Sequence, residues 1–312
     1  MSHLTDIAAL DDEDVRQLLT EALRYDRAIA SGEDLRAPLH GLLQVNLFYE
    51  NSTRTSLSFE IAGKRLGAHV VAVPVTASSV HKGESLRDTV LTLGAQGAEI
   101  LVLRATGAGT VDASRTALAQ AGYGTAIVNA GEGAFGHPTQ ALLDAATLLK
   151  ALRRSPEDGL EGLVIAIIGD LAHSRVAASC APLFARLGAE VRLCAPEALL
   201  PGAEVPGVGC ITTSRDEALT GADVAMALRL QNERFAEDLA VDPATYRQDY
   251  GLSMEALSFA KPTAFVMHPG PINRGIEIDT DVADDPARSL ILSQVAMGVP
   301  TRMAVLRYAA EK

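Results

Sequence analysis

The sequence has few cysteines, and their spacing excludes two common kinds of site. Cys180, Cys194 and Cys210 are the only cysteines among the 312 residues, and no two of them form a close pair. An odd number of widely spaced cysteines fits neither a disulfide framework nor a zinc site built from thiolates. We therefore expect buried, reduced thiols.

Long apolar segments are also missing. Hydrophobic residues make up 48% of the sequence, yet no run of them is long enough to cross a bilayer, and the N-terminus has no signal-peptide pattern. This composition is typical of a cytoplasmic enzyme without a membrane partner. The length suits two domains that each bury a core of their own.

Lysine is scarce, and positive charge is in the minority. The formal net charge is −12, and arginine outnumbers lysine by 22 to 5. A chain of this charge is a poor partner for nucleic acid or for an anionic membrane surface. If its substrates are anions, they must be bound by local groups of arginines, and several arginines stand where strands are predicted to end.

Several well-known catalytic motifs are absent. The sequence contains no Gly-x-Ser-x-Gly, no His-Glu-x-x-His and no phosphate loop ending in Gly-Lys-Ser or Gly-Lys-Thr. Serine hydrolysis, zinc proteolysis and nucleoside-triphosphate hydrolysis therefore lose their main support.

Residues 131–136 do match the glycine pattern of dinucleotide-binding proteins. That pattern also requires an acidic residue about 20 positions later, at the end of the next strand. Here this position falls in a predicted linker at 156–158. A flexible loop that presents His137 is the better interpretation.

Short apolar runs alternate with helical patterns along most of the chain. This alternation is typical of βαβ units and predicts two parallel sheets. The predicted strands are 43–48, 70–73, 100–103 and 126–128 in the first sheet, and 163–168, 191–194, 224–227 and 264–267 in the second.

The predicted domain boundary follows a long helix over 138–152, where residues 153–159 combine charge, proline and glycine. We therefore predict domains over residues 1–152 and 153–288. A final segment, 289–312, has an amphipathic helical pattern that we expect to be interrupted near Gly298 and Pro300.

The turn between the first predicted strand and the next helix is suited to binding an anion. Ser52, Thr53, Arg54 and Thr55 stand where that helix begins. Unpaired backbone N–H groups, hydroxyl groups and a guanidinium would meet there at the positive end of a helix dipole. The same residues also fit an ordinary N-cap.

Seven blocks, in order along the chain, resemble those of the aspartate and ornithine carbamoyltransferases. The first is the carbamoyl-phosphate signature Phe-x-Glu-x-Ser-Thr-Arg-Thr at 48–55. The others lie at 78–85, 103–104, 129–140, 169–175, 228–234 and 267–274. The resemblance spans essentially all of the chain and favours the anion site over the N-cap. It implies an α/β fold of two doubly wound domains, each a mostly parallel sheet flanked by helices, with the C-terminal helix packing back on the first domain.

The resemblance implies carbamoyl transfer from a mixed anhydride, carbamoyl phosphate, without a metal or other cofactor. An amine attacks the carbonyl carbon, an oxyanion develops, and phosphate leaves. The residues implied to face the carbonyl oxygen are Thr55, Arg104 and His137. Those implied to hold the phosphate are Ser52, Thr53, Arg54 and Thr55, assisted by Arg104. Taken alone, His137 before Pro138 fits a turn, and Arg104 fits a surface charge.

Selection of a carbamoyl donor over an acetyl donor is implied to rest on groups that accept hydrogen bonds from the carbamoyl amino group. These are Gln140 and the backbone carbonyls around Pro269 and Gly270. The resemblance also implies a cis peptide bond before Pro271.

The acceptor is expected to bind in the second domain, where Arg175, Arg229 and Gln231 stand near predicted strand ends. Two guanidiniums and an amide suit a molecule with two carboxylates. Arg175 is placed to hold the α-carboxylate, while Arg229 and Gln231 share one face of an extended segment and suit the β-carboxylate. Arg229 also fits an ion pair with Glu233 or Asp238.

Two differences from ornithine enzymes favour aspartate as the acceptor. Those enzymes usually carry arginine where this chain has Ser56, and His-Cys-Leu-Pro where it has residues 268–271. Ornithine would also need an acidic or dipolar pocket for its distal ammonium group.

Lys82 lies in a predicted loop after the second strand. A loop lysine is ordinarily a solvated charge, but in the family the residues matching Ser78 and Lys82 enter the active site of the neighbouring subunit of a homotrimer. The role of His81 stays open, and His268 is interpreted as structural. The block from His268 resembles bacterial enzymes that associate with dihydroorotase. That enzyme and a regulatory chain are therefore the further partners to consider.

Together with these residues, the resemblance implies a transferase that carries the carbamoyl group of carbamoyl phosphate to the amino group of L-aspartate, in de novo pyrimidine biosynthesis. Two alternatives stay open: a carbamoyltransferase for another amino acid such as ornithine, and a non-catalytic homologue that acts as a binding scaffold. The intact candidate residues favour the enzyme.

Overall fold

The computed structural model describes residues 1–73, 84–230 and 242–311. They form two compact units, Met1–Ala146 with Val295–Lys312, and Thr147–Gln294. The domain limits predicted from the sequence stay a prediction beside this division. Across the described ranges, no helix combines the length and the apolar character needed to span a bilayer.

The first unit is built on a four-stranded parallel sheet with the order β2-β1-β3-β4. Its strands are β1 (Leu43–Phe48), β2 (His69–Val73), β3 (Ile100–Ala105) and β4 (Ala126–Glu132). Its helices are α1 (Asp12–Ser31), α2 (Thr53–Arg65), α3 (Leu86–Ala95), α4 (Thr110–Gln120) and the first part of α5 (Pro138–Leu152). β3, a central strand, is buried throughout. β4 is the last strand of the sheet and is equally buried, with its edge covered by a parallel bridge between Leu4 and Val128.

The second unit has a five-stranded parallel sheet with the order β7-β6-β5-β8-β9. The strands are β5 (Val164–Ile168), β6 (Glu190–Cys194), β7 (Cys210–Thr212), β8 (Val224–Ala227) and β9 (Phe265–Met267). The helices are α6 (Arg175–Arg186), α7 (Arg215–Leu219), α8 (Pro243–Tyr250) and α9 (Thr280–Ala283). The sequence did not predict β7, because this edge strand has only three residues and none of them is fully buried.

The last helix, α10 (Ile291–Ala310), is continuous over 20 residues with Pro300 inside it, so the predicted interruption is wrong. Proline removes one N–H donor from a helix and costs stability. Here Met297, Val305 and Leu306 are all buried, and such packing outweighs an unfavourable local preference. Arg307 of α10 forms an ion pair with Glu21 of α1 at 2.8 Å. The helix thus packs against the first unit, and the predicted α/β class with two parallel sheets is confirmed.

Candidate active site

Each sheet has one point at which the order of its strands reverses. In the first sheet β2 lies on one side of β1 and β3 on the other, and in the second sheet β6 and β8 flank β5 in the same way. A crevice opens at the carboxyl ends of the strands at such a point, and parallel α/β sheets bind ligands there. Two crevices therefore define where functional side chains are expected, one in each unit.

The N-terminus of α2 lies at the first crevice, because α2 follows β1 after a short turn. Ser52 occupies the N-cap position, and within the described ranges its side chain makes no capping hydrogen bond. The helix starts through its backbone, because the N–H of Ser56 donates to the carbonyl of Ser52 at 3.0 Å. The ordinary N-cap interpretation therefore does not account for this serine, whose hydroxyl is left for another partner.

Arg104 comes from β3, at the other side of the same crevice. Its backbone pairs with Phe48 in the strand register, and its side chain is only 8% exposed. Nη1 donates to the carbonyl of Ala130 at 3.1 Å, and Nη2 lies 3.3 Å from Oε2 of Glu50. A guanidinium buried at a strand end and braced from two sides is not a surface charge, so that interpretation is wrong.

His137 and Thr55 meet although they are far apart in the chain. The hydroxyl of Thr55 lies 3.5 Å from Nε2 of His137, and both residues are buried. His137 is held by a hydrogen-bonded turn, in which the N–H of Glu132 donates to the carbonyl of Gly136 at 2.9 Å. This turn, rather than an open dinucleotide site, explains the glycine pattern at 131–136.

Gln140 follows one turn later on α5 and is 8% exposed. Its amide nitrogen donates to Oδ1 of Asp144 at 3.0 Å, a buried contact between neighbours on one helix face. Because an ionised carboxylate can only accept hydrogen bonds, this contact fixes which end of the amide is the nitrogen.

The second crevice depends on a close approach between the ends of β5 and β8. Gly169 has a φ of +144°, and a Cβ atom there would stand 2.7 Å from Cβ and 2.8 Å from the carbonyl oxygen of Leu228. The N–H of Leu228 donates to the carbonyl of Ile168 at 2.8 Å. Only glycine allows this approach, which puts the segment before Arg229 beside the loop before Arg175.

Arg175 and Arg229 are both half-buried and follow the two strands that flank this crevice. Arg175 is the first residue of α6, whose N-cap Ser174 accepts a hydrogen bond from the N–H of Ala177. Arg175 is thus held at the start of a helix, and Arg229 lies in the segment that follows β8. Two cations at one crevice suit a ligand with two negative groups.

The loop after β9 carries the predicted carbonyl groups at Pro269 and Gly270. The peptide bond before Pro271 is cis, as the resemblance implies. His268 is buried; its Nδ1 accepts from the N–H of Gly270 at 2.8 Å, and its Nε2 lies 3.1 Å from Oε1 of Glu277. His268 therefore braces the loop, in agreement with its structural interpretation.

Three predicted site residues, Ser78, Lys82 and Gln231, lie outside the described residues, as does His81. The two residues offered as partners of Arg229, Glu233 and Asp238, do so as well. Over the ranges that the structure describes, no group of three or more His, Cys, Asp or Glu side chains is arranged to hold a metal ion.

Sequence reasoning missed the acidic residues that support the site. Glu50 lies inside the first recognised block but received no role, and Asp144 received none although it stands four positions after Gln140. Helical spacing could have revealed Asp144, because residues at i and i+4 share a helix face. No local signal marks the pairing of Glu50 with Arg104.

Comparison with known proteins gives the same family for both units. Residues 2–150 match the model of the aspartate/ornithine carbamoyltransferase carbamoyl-P binding domain, and residues 161–309 match that of the Asp/Orn binding domain. The aspartate carbamoyltransferase catalytic subunit of Novosphingobium aromaticivorans is 48% identical over 97% of this chain and 87% of its own length. That of Rhodopseudomonas palustris is 49% identical over 97% and 92%.

Solved structures of aspartate transcarbamoylase from Trypanosoma cruzi are also similar. The complex with carbamoyl phosphate and aspartate has a TM-score of 0.85 and 33% identity, and covers 98% of this chain and 96% of that one. The complex with N-(phosphonacetyl)-L-aspartic acid has the same TM-score and identity, and covers 98% and 95%. With both crevices, their arginines and both domain matches in place, the chain belongs to the aspartate/ornithine carbamoyltransferase family.

Proposed function

We propose that this protein transfers the carbamoyl group of carbamoyl phosphate to the amino group of L-aspartate and releases N-carbamoyl-L-aspartate and phosphate. One observation carries the proposal: each parallel sheet presents arginine at the carboxyl ends of the strands that flank its switch point. One crevice has Arg104 with the α2 N-terminus, and the other has Arg175 and Arg229. The curated relatives carry this activity in their names, and a similar solved structure holds both substrates.

In the first crevice, the N-terminus of α2 binds the phosphate. Ser52, Thr53, Arg54 and Thr55 contribute, and their helix points its positive end at the ligand. Support comes from the Ser52 hydroxyl, which is not used as a cap. Ser78 and Lys82 complete the active site from an adjacent subunit.

Charge develops on the carbonyl oxygen when the amine attacks. Thr55, Arg104 and His137 donate hydrogen bonds to that oxygen, and a preorganised donor of this kind is worth about 10²–10³ in rate. This role is supported by the burial of all three side chains and by the contact between Thr55 and His137 at 3.5 Å. As the new C–N bond forms, the amine gives up one proton and the C–O bond to phosphate breaks.

The carbamoyl amino group donates hydrogen bonds to Gln140 and to the carbonyls of Pro269 and Gly270, before Pro271. An acetyl group has no such donors, so these acceptors select the carbamoyl donor. Aspartate binds with its α-carboxylate on Arg175 and its β-carboxylate on Arg229 and Gln231. A bidentate guanidinium grip suits each carboxylate.

We further propose a homotrimer in which Ser78 and Lys82 enter the site of the adjacent subunit. Their segment follows β2, an edge strand on which Val71 is 48% exposed. Cys180 and Cys194 are buried free thiols, which fits the reducing cytoplasm as the location. The product of the reaction fits the proposed place in pyrimidine biosynthesis, with a dihydroorotase or a regulatory chain as a further partner.

A turnover assay tests the function. Purified protein is supplied with carbamoyl phosphate and either aspartate or ornithine, and phosphate release is measured together with the carbamoylated product. We expect product with aspartate and at most background with ornithine. Preferential use of ornithine would make the chain a different carbamoyltransferase, and no turnover with either amine would favour a binding scaffold.

A further inference from the structure

We infer that Asp144 and Arg302 are positioning residues that orient the Gln140 amide, so that its oxygen is offered to the donor and its nitrogen is not. The inference rests on the proposed function, in which Gln140 accepts a hydrogen bond from the carbamoyl amino group. It assigns a task to a buried carboxylate and to a buried guanidinium of the C-terminal helix. Neither residue is expected to touch a substrate.

The first step concerns the ambiguity of a glutamine side chain. The amide has one end that donates and one that accepts, and rotation by 180° exchanges them at little cost unless a neighbour discriminates. A rotated Gln140 would turn its NH₂ group towards the carbamoyl NH₂ group, with two donors facing each other. Selection of the donor substrate therefore depends on what fixes the amide.

Asp144 is the group that discriminates. It is 0% exposed, and its Oδ1 accepts from Nε2 of Gln140 at 3.0 Å. An ionised carboxylate cannot donate, so rotating the amide would set two acceptors against each other in a buried place. As long as Asp144 is charged, Oε1 of Gln140 is the end left for a ligand.

The second step concerns the charge of Asp144, which is costly to bury without compensation. Arg302 carries the opposite charge and is 3% exposed; burial lowers its pKa to about 9, attraction to Asp144 raises that pKa, and repulsion from Arg104 lowers it further. A Cβ atom on Gly298 would stand 2.7 Å from Nη1 of Arg302 and 3.9 Å from Cδ2 of Leu143, so the guanidinium lies near the residue that precedes Asp144. A guanidinium remains protonated at neutral pH. A positive charge in the same buried region offsets part of the cost of a carboxylate at Asp144, no part of whose surface reaches water.

The chain makes specific room for Arg302. Nη1 donates to the carbonyl of Gly298 at 3.2 Å, and a Cβ atom on Gly298 would stand 2.7 Å from that nitrogen. The guanidinium carbon lies 5.1 Å from the ring centroid of Phe59, on the helix whose first turn carries Thr55. These contacts hold the positive charge of α10 within the first unit.

The experiment compares two stable probes that differ only at the group that Gln140 recognises in this inference. Phosphonoacetamide carries an amide NH₂, and acetonylphosphonate has a methyl group in its place. Titration calorimetry gives the affinity of each for the intact protein, and their ratio is the readout. For the wild type we expect a preference for phosphonoacetamide of about tenfold or more.

Asp144→Asn should reduce that preference by about tenfold, because an asparagine both donates and accepts and no longer fixes the amide. Arg302→Met should reduce it in the same direction without altering any group that faces a ligand, while Arg302→Lys should largely preserve it. Asp112→Asn, an exposed change in the same unit, is the matched control and should keep the wild-type ratio. Thermal melting shows which variants are folded.

A folded Asp144→Asn or Arg302→Met protein with the wild-type ratio would overturn the inference, because a merely structural pair would weaken both probes equally. If neither variant folds, the wild type still tests the inference. Equal wild-type affinity for the two probes would mean that the Gln140 amide does not distinguish the NH₂ group from the methyl group. Wild-type turnover on carbamoyl phosphate and aspartate is measured in parallel. If the wild type turns over both substrates but the variants keep its probe-affinity ratio, only the positioning role is refuted. If the wild type shows no turnover, the proposed function is refuted.

Discussion

The hydroxyl of Thr55 lies 3.5 Å from Nε2 of His137, which joins the first turn of one helix to the turn before another. Both residues are buried, so a carbonyl oxygen placed beside them would find donors that are already held in position. Groups that need no rearrangement during the reaction stabilise charge better than mobile groups do.

Replacing His137 tests this arrangement. We expect His137→Ala to lower kcat by about 10²–10³ and to change the KM values much less, because the bond to the oxyanion is strongest in the transition state. Steady-state kinetics with both substrates varied provides the measurement. His40→Ala, at an exposed position of the same unit, should behave as the wild type. An unchanged kcat in His137→Ala would remove this residue from the mechanism.

Arg229 should act on one substrate only. We expect Arg229→Ala to weaken the binding of aspartate by several kcal/mol, as is common when one partner of a desolvated charge pair is removed. Carbamoyl-phosphate affinity should stay near the wild-type value. Calorimetric titration of each ligand separates the two effects.

The control for Arg229 is Arg247→Ala in the same unit, where an exposed arginine pairs with Asp279 at 2.8 Å. Exposed pairs contribute little, so this variant should bind both ligands normally. Equal losses of both ligands in Arg229→Ala would contradict its assignment to the β-carboxylate.

Gly169→Ala should be damaging although only one methyl group is added. The new Cβ would stand 2.7 Å from Cβ of Leu228, at a φ of +144° that disfavours alanine. We expect destabilisation of about 1–3 kcal/mol and a higher KM for aspartate, because the segment carrying Arg229 must shift.

Thermal melting and kinetics measure both effects of that change. Gly209→Ala, an exposed glycine with open space around its Cβ position, should change stability by no more than about 0.5 kcal/mol. If Gly169→Ala melts and turns over like this control, the close approach does not set the second crevice.

Helices and strands with a clear local pattern could be predicted from the sequence, but contacts between residues far apart in the chain could not. The β1 and α5 patterns predicted elements with the observed bounds because alternation and helical spacing are properties of neighbours. The burial of Arg104 against Glu50 depends on strand order, which local patterns do not contain. No local pattern marks Arg302 for burial in α10, and Pro300 suggested a break that packing overrides.

The candidate site was likewise only partly predictable from the sequence. Thr55, Arg104, His137 and Gln140 followed from the family blocks, but the supports beneath them did not. Asp144 could have been noticed by its spacing from Gln140, whereas the approach of Gly169 to Leu228 required the two strand ends to be placed side by side.

Subunit mixing tests the shared site. We expect Lys82→Ala and Arg54→Ala proteins to be nearly inactive alone, because each lacks one cation for the phosphate. A mixed trimer contains one interface at which Arg54 and Lys82 are both unmutated, so activity should return when the two proteins are mixed. Native mass spectrometry verifies that mixed trimers exist. Mixed trimers as inactive as their parents would place Lys82 in the site of its own chain.

The most direct test of the central claim is to observe the bond that forms. The protein is given ¹³C-labelled carbamoyl phosphate and ¹⁵N-labelled aspartate, and the product is followed by NMR. Transfer to the amine predicts a one-bond ¹³C–¹⁵N coupling in the product, with one phosphate released per bond formed. Phosphate release with the ¹³C label found only in carbonate or cyanate, and no coupling to nitrogen, would contradict carbamoyl transfer to aspartate.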